Sequence, residues 1–321
     1  MNLLVSSAVL AAVVRGLVPL VLLGVGGLIC QRAGVFNVAL EGVLLTGCFA
    51  AVAGSAWSGS ALVGVLAAAA AGVLVAFALA VGSVRRHGDP LVLGTALNIV
   101  VSGLTTFLLQ AMFHVRGTYH RPDLARLPHW FAGVSLPWIG PAVAALSPLG
   151  CLAVLAVPAV HGFLRHTVPG MRLRGVGADA AAAESLGIRP DRYRFAALLV
   201  AGLFGGLAGA ELSLGAVALF TENMSAGRGW VVVLVLLIAA GRLRVLLLTL
   251  VVYAYAQAVG FRLQTVGLPM QLSDAAPYLA MIAVLVRAGL RARWRKSAPA
   301  PAARATLTTG WCRRRFGGAS R

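Results

Sequence analysis

The sequence contains few charged residues, and acidic residues are the scarcest of them. Only 11% of its 321 residues are charged, nine of which are aspartate or glutamate, whereas about a quarter of a soluble domain is charged. Lysine occurs once, as Lys296, and no glycine-rich loop precedes it. A P-loop needs a lysine directly after such a loop to hold nucleotide phosphates. The chain is therefore predicted not to hydrolyse ATP by P-loop chemistry.

Clusters of the residues that bind metals or perform catalysis are also missing. The four cysteines, Cys30, Cys48, Cys151 and Cys312, are scattered without metal-ligand or redox spacing. The histidines lack ligand spacing as well, so no metal and no cofactor are expected in this chain. A membrane-embedded enzyme would need a convergent nucleophile, base or metal cluster, and the sequence shows none.

Apolar residues dominate what is present. They make up 60% of the chain, and the mean hydropathy is +0.89. In residues 33–84 the only formally charged side chain is Glu41, and this stretch is long enough for two crossings of about 20 residues each. Such long continuous runs predict helices, because the strands of a membrane barrel would alternate in polarity. We expect an all-α polytopic membrane protein with about nine spans, eight or ten being equally consistent.

The net charge of +18 comes from arginines that lie between or after the apolar runs. This distribution is typical of the positive-inside bias of membrane proteins and not of a nucleic-acid-binding face. We interpret residues 1–290 as the membrane domain, with a cytoplasmic loop at residues 165–194. The basic, Pro/Ala-rich residues 291–321 are predicted to form a disordered cytoplasmic tail against an anionic inner leaflet.

Residues 171–188 lie in the longest polar interruption of the chain and predict one short helix. Asp179 can cap its start, four alanines form its body, and Gly187 can end it. From the residues alone, this stretch is either an ordinary solvated loop or the place where another protein acts on the membrane domain.

Two carboxylates lie inside apolar runs. A charged group costs about 2.5–3.5 kcal/mol at the centre of a membrane helix, so an interior position is expected. Glu41 either lines a pathway or locks a neighbouring helix, or else it lies near water beside Arg32. Glu211 either pairs with Arg228 or caps an outer helix end.

Uncharged polar residues and glycines in the spans predict contacts between helices. Asparagines in membrane helices more often form hydrogen bonds between helices than bind a ligand, and we expect this of Asn37 and Asn98. A run of small residues after residue 195 predicts a packing seam at which helix backbones approach closely. Its members are Gly202, Gly205, Gly206 and Gly209.

Four motifs together resemble one family. Gly34-Val-Phe-Asn37-Val-Ala-Leu40-Glu41-Gly42 is similar to the signature of permease subunits of bacterial ABC importers, in the group for branched-chain amino acids, ribose-type sugars and nucleosides. Gly94-Thr-Ala-Leu-Asn98 and Ala226-Gly-Arg-Gly-Trp230 look like motifs of its nucleoside and simple-sugar branch. Residues 176–188 match the spacing of the cytoplasmic loop of the family but depart from its pattern at residues 178–180.

The resemblance implies a membrane subunit that imports a nucleoside or simple sugar by alternating access in the bacterial cytoplasmic membrane. It implies a second, homologous permease chain in a heterodimer, two ATP-binding subunits that carry the ATP, and an extracytoplasmic binding protein; no nucleic acid is expected. The loop that would couple to the ATPase comprises Arg172, Arg174, Val176, Gly177, Asp179, Glu184, Gly187 and Ile188. The residues implied as a structural motif are Gly227, Arg228, Gly229 and Trp230.

The competing hypothesis is a secondary transporter that works without an ATPase. Protons would then be coupled through Glu41, Glu211 or Asp274, because carboxylates serve as proton relays in membranes. The chain has few carboxylates and no paired set, which favours the importer.

Overall fold

The computed structural model describes residues 7–128, 140–144, 146–215, 217–264, 275–283 and 286–287. The chain divides into two units, residues 1–281 and 282–321. In the second unit, the described residues 282–283 and 286–287 are helical. The predicted tail at residues 291–321 lies outside the described residues.

Helices account for most of the first unit, as the long apolar runs predict. In chain order they are α1 (Ser7–Arg32), α2 (Leu40–Ser58), α3 (Ala61–Ala80), α4 (Pro90–Phe113), α5 (Gly140–Ala144), α6 (Pro148–His166), α7 (Val168–Ala178), α8 (Ala180–Ser185), α9 (Pro190–Ala210), α10 (Arg228–Ala239) and α11 (Leu243–Gln264). Two π-helical turns, Val81–Arg85 and Glu211–Gly215, continue α3 and α9. Residues 275–283 are also helical.

Seven helices in the described part are long and apolar enough to cross a membrane. Five of them are α1, α2, α4, α6 and α11. The other two are α3 and α9, each extended by the π-helical turn that follows it. The helix α10 is apolar but shorter. The polytopic α-helical fold is thereby confirmed, while the total of about nine spans remains a prediction.

The helix α2 lies at the centre of the bundle. It packs against α3, α4, α9 and α10, while α1 contacts α6, α9, α10 and α11. This chain buries 78% of the apolar window of α2 but only 22% of that of α4. The outward side chains of α4 include Ile99 and Phe107, which suits a helix at the lipid-facing rim.

The glycine seam of α9 brings three helices into backbone contact. A Cβ at Gly206 would collide with the carbonyl oxygen of Ala68 in α3, and one at Gly209 would lie 2.5 Å from the amide nitrogen of Cys48 in α2. Gly202 faces Gly72 of α3 in the same way. The seam therefore holds α9 against both α2 and α3.

The two ends of the bundle differ in character. One end, named here the arginine-rich end, contains the last turns of α1 and α6, the π-helical turn after α3, and helices α7 and α8. The other end carries a two-stranded antiparallel sheet of β1 (Thr118–His120) and β2 (Leu219–Thr221), with Tyr119 opposite Phe220. This sheet ties the segment after α4 to the segment after α9.

Candidate functional site

Two short helices, not one, occupy the polar interruption. Thr167 begins α7, and its Oγ1 accepts a hydrogen bond from the amide of Gly170 at 3.2 Å. Asp179, in an extended conformation, ends α7 and begins α8. The expectation of a single helix over residues 171–188 is therefore wrong for its first half. A threonine cap followed by Pro169 in the first turn is the sequence signal for α7.

The ends of α8 are those that the sequence predicts. One carboxylate oxygen of Asp179 accepts hydrogen bonds from the amides of Ala181 and Ala182, both at 3.0 Å. Gly187 has φ of 76°, a left-handed conformation that favours glycine. The amides of Gly187 and Ile188 donate to the carbonyls of Glu184 and Ala183 at 2.9 and 3.1 Å, which is a Schellman motif. Both ends of this six-residue helix are thus closed by their own hydrogen bonds.

The helix α7 is joined to the end of α1 by direct backbone contact. A Cβ at Gly177 would collide with the carbonyl oxygen of Arg32, and a Cβ at Gly34 would lie 3.1 Å from the Cα of Gly177. Leu173 and Val176 are buried on the same side of α7. The motif at residues 34–42 and the loop motif at residues 176–188 therefore touch through two glycines, with no side chain between them.

The outer face of the α7–α8 segment (residues 168–188) is exposed. Leu186 has 79% of its surface exposed, and it borders a groove of about 580 Å³ between α8 and the start of α9. Arg172, Arg189 and Arg192 also line this groove. An exposed leucine among arginines is suited to a partner surface that offers an apolar pocket with acidic groups around it.

A buried carboxylate joins α2 to α10. Glu41, in the first turn of α2 and 8% exposed, accepts hydrogen bonds from the amide of Gly227 at 2.9 Å and from that of Gly229 at 2.6 Å. These two amides belong to the N-terminal end of α10. One carboxylate therefore meets the positive ends of two helix dipoles and pairs two amides that have no partner within their helix.

Close approach of the backbones makes a side chain at residue 229 impossible without rearrangement. A Cβ at Gly229 would lie 2.5 Å from both the Cα and the amide nitrogen of Glu41. The structure thus places Glu41 as a link between helices and not beside Arg32. The guanidinium group of Arg228 donates a hydrogen bond to the carbonyl of Met224 at 3.3 Å. Trp230, the last residue of this motif, has 41% of its surface exposed.

Two asparagines hold the irregular residues 33–39 that lead into α2. The Oδ1 of Asn98, on α4, accepts from the amide of Gly42 at 2.8 Å, and its Nδ2 donates to the carbonyl of Val38 at 3.0 Å. The Oδ1 of Asn37 accepts from the amide of Ala39 at 3.0 Å. We call Asn37, Glu41, Asn98, Gly227 and Gly229 the helix junction.

The helix junction lies well inside the layer that α1 crosses. A Cβ at Gly205 would touch both Val43, one turn into α2, and Leu23 of α1. At a rise of 1.5 Å per residue, Leu23 is about 14 Å from the end of α1 at Arg32. Irregular backbone at this depth requires internal hydrogen-bond partners, and Asn98 and Glu41 provide them.

The second buried carboxylate, Glu211, lies at the end of the bundle opposite the arginine-rich end. It joins the π-helical turn after α9 to the start of α6. Ser147 donates its hydroxyl hydrogen to Glu211 Oε2 at 2.5 Å, and its Oγ accepts from the amide of Gly150 at 2.9 Å as the N-cap of α6. Of the two sequence alternatives for Glu211, the structure shows the link to a helix end and not the pairing with Arg228.

This architecture is that of a polytopic membrane protein with an exposed helical segment at one end. The family described as branched-chain amino acid transport system / permease component matches residues 9–285. The chain belongs to this family and is a membrane subunit of an ABC importer. The exposed α7–α8 segment and the helix junction are therefore parts of a permease component.

Three relatives are similar over most of the chain. TsgC13 of Haloferax volcanii, named as a candidate glucose ABC transporter permease protein, is 29% identical over 89% of this chain and 93% of its own. The nucleoside ABC transporter permease protein NupC of Lactococcus lactis is 31% identical, and the guanosine ABC transporter permease protein NupQ of Bacillus subtilis is 29% identical, each over 66% of this chain and 69% of its own. No solved structure matches significantly.

Proposed function

We propose that this permease imports a nucleoside or a simple sugar across the bacterial cytoplasmic membrane. The relatives support this substrate class, since one is named for glucose, one for nucleosides and one for guanosine. In this proposal the chain pairs with a second, homologous permease chain. An extracytoplasmic binding protein delivers the substrate to the pair.

Energy comes from two separate ATP-binding subunits. In this proposal the chain carries no cofactor and does not itself hydrolyse ATP; its single lysine is not part of a P-loop. The ATP-binding subunits dock on the α7–α8 segment, where Leu186 enters an apolar pocket and the arginines of the groove face acidic groups. At residues 178–180, where the chain departs from the family pattern, either the partner surface differs correspondingly or this permease couples in a modified way.

The observation that carries this coupling role is the contact between Gly177 and the backbone of Arg32 and Gly34. A movement of α7 displaces the end of α1 directly, because no flexible side chain lies between them. Residues 33–39 continue from this point into α2, whose start is held by the helix junction. A force on α7 is thereby passed to the central helix, which is how ATP hydrolysis opens and closes the pathway.

The proposal is tested by reconstitution in liposomes with the second permease chain, the ATP-binding subunits and the binding protein that we expect to be encoded beside it. Uptake of labelled guanosine and glucose is measured with ATP inside the liposomes, without ATP, and with a proton gradient alone. We expect ATP-dependent uptake of one substrate class and co-purification of the ATP-binding subunits. Uptake that persists without ATP but stops when the proton gradient is dissipated would identify the chain as a secondary transporter.

A further inference from the structure

Five arginines surround one cavity at the arginine-rich end, separate from the groove beside α8. The cavity has a volume of about 360 Å³ and lies between the last turns of α1 and α6, the inner side of α7 and the turn from α10 to α11. At about 30 Å³ per water molecule, it has room for a phosphate group and several waters. Its basic residues are Arg32, Arg165, Arg174, Arg242, Arg244 and His161.

The positive charges in this cavity have no counterion within the described chain. No aspartate or glutamate lines the cavity among the residues that the structure describes. The positive charges of Arg165, Arg174 and Arg242 lie close enough to act on the guanidinium group of Arg32. Like charges held close together repel one another, so an anion from outside the chain would stabilise this arrangement.

Unused hydrogen-bond donors point to the same conclusion. The Nε atoms of Arg32 and Arg174 are buried and have no hydrogen-bond partner within the described chain. A buried donor without a partner is destabilising, and a ligand with several acceptor oxygens would supply the missing partner. Arg172, two residues before Arg174, lines the groove on the other side of α7.

The cavity wall is built by specific contacts and not by chance positions of long side chains. Gln31 accepts from the amide of Gly241 at 3.0 Å and donates to the carbonyl of Leu236 at 2.9 Å. A Cβ at Gly241 would lie 3.0 Å from Arg32 Nε, so Arg32 lies flat against this turn. The end of α1 and the turn before α11 therefore form one fixed surface.

We propose that this cavity binds a phosphate group, supplied either by the headgroup of an anionic lipid or by a soluble phosphate compound. Arginine forks match phosphate oxygens in charge and geometry, and a phosphate presents more acceptors than a carboxylate. The cavity lies where three apolar helices end or begin, which is the level of lipid headgroups on the positively charged side of a membrane protein.

Native mass spectrometry of the purified full-length chain tests the lipid source. The protein is incubated with phosphatidylglycerol or with phosphatidylcholine, and the bound lipids are counted. We expect one tightly held phosphatidylglycerol, with occupancy at least about tenfold lower in the double variant Arg242→Gln, Arg244→Gln, since charge-assisted hydrogen bonds are the strong ones. The control, Arg85→Gln with Arg86→Gln, removes the same charge after α3 and should bind as the wild type does.

Thermal unfolding of the wild-type chain tests the soluble source and does not depend on the folding of any variant. Inorganic phosphate is compared with acetate at equal ionic strength. A higher unfolding midpoint with phosphate alone identifies a soluble phosphate ligand, and a rise with phosphatidylglycerol alone identifies the lipid. Equal effects of acetate and phosphate, absence of any effect of phosphate and lipid, or equal lipid loss in both double variants would overturn the proposal.

Discussion

Glu41 and Asn98 of the helix junction use their polar groups differently from the arginines of the α7–α8 segment. At the helix junction, Glu41 and Asn98 are buried and their oxygens accept backbone hydrogen bonds from other segments of the chain. Along the α7–α8 segment, Arg172 faces a groove and Arg174 keeps a buried Nε without a partner. Polar groups that are satisfied within the chain stabilise its fold, whereas those left unsatisfied at a surface are available to other molecules.

The difference also explains the unequal rigidity expected of the two regions. The bonds of Glu41 and Asn98 at the helix junction join segments far apart in the sequence, so their loss separates helices. In the segment, the bonds of α8 are local and close its own two ends. Substitutions at the helix junction should therefore lower the stability of the whole protein, and those in the segment should change transport alone.

The largest effect is expected for Glu41→Ala. It leaves the amides of Gly227 and Gly229 without partners, at about 1–3 kcal/mol each, and removes the charge from two helix N-termini. We expect a lower thermal unfolding midpoint in detergent and loss of most monodisperse protein. Glu41→Gln should be milder, because the amide oxygen can still accept one of the two bonds.

The matched control for Glu41 is Asp123→Asn, which removes one negative charge from an exposed position. It should leave the unfolding midpoint unchanged. Wild-type stability of Glu41→Ala would show that the helix junction does not hold α2 to α10 and would remove the basis of the comparison.

A smaller effect, confined to one region, is expected for Asp179→Ala. Loss of an N-cap costs about 0.5–2 kcal/mol, and here it affects only the start of α8. We expect the unfolding midpoint to stay at the wild-type value while ATP-dependent uptake in liposomes falls several-fold.

Asp89 offers a matched control for the cap, since its carboxylate accepts from the amide of Leu91 at 2.7 Å at the start of α4. Asp89→Ala removes a cap of the same kind at the same end of the bundle but outside the segment. Uptake that falls equally in Asp89→Ala and Asp179→Ala would argue against a special role for α8.

The sequence predicts features that depend on neighbouring residues. The ends of α8 follow from Asp179 and Gly187, and the seam of α9 from the spacing of its glycines. The helix α7 was missed because Arg172 and Arg174 obscure its apolar face, which consists only of Leu173 and Val176.

Contacts between distant segments could not be predicted in this way. A carboxylate in an apolar run indicates that Glu41 has an internal partner, but Gly227 and Gly229 lie 186 and 188 residues away and carry no side chain to mark the site. The contact of Gly34 with Gly177 is hidden for the same reason. The arginine cavity likewise assembles from four separate segments, each of which alone resembles an ordinary membrane flank.

The most direct test of the coupling role compares Gly177→Ala with Gly175→Ala in the reconstituted importer. Both add one methyl group to α7, but a Cβ at Gly175 meets nothing within 4 Å, whereas one at Gly177 collides with the backbone of Arg32. The quantity to measure is substrate transported per ATP hydrolysed. We predict a wild-type ratio for Gly175→Ala and a clearly lower ratio for Gly177→Ala, because the added methyl group separates the two backbones whose contact transmits the force. Equal ratios in the two variants, with both complexes intact, would contradict transmission of force from α7 to α1.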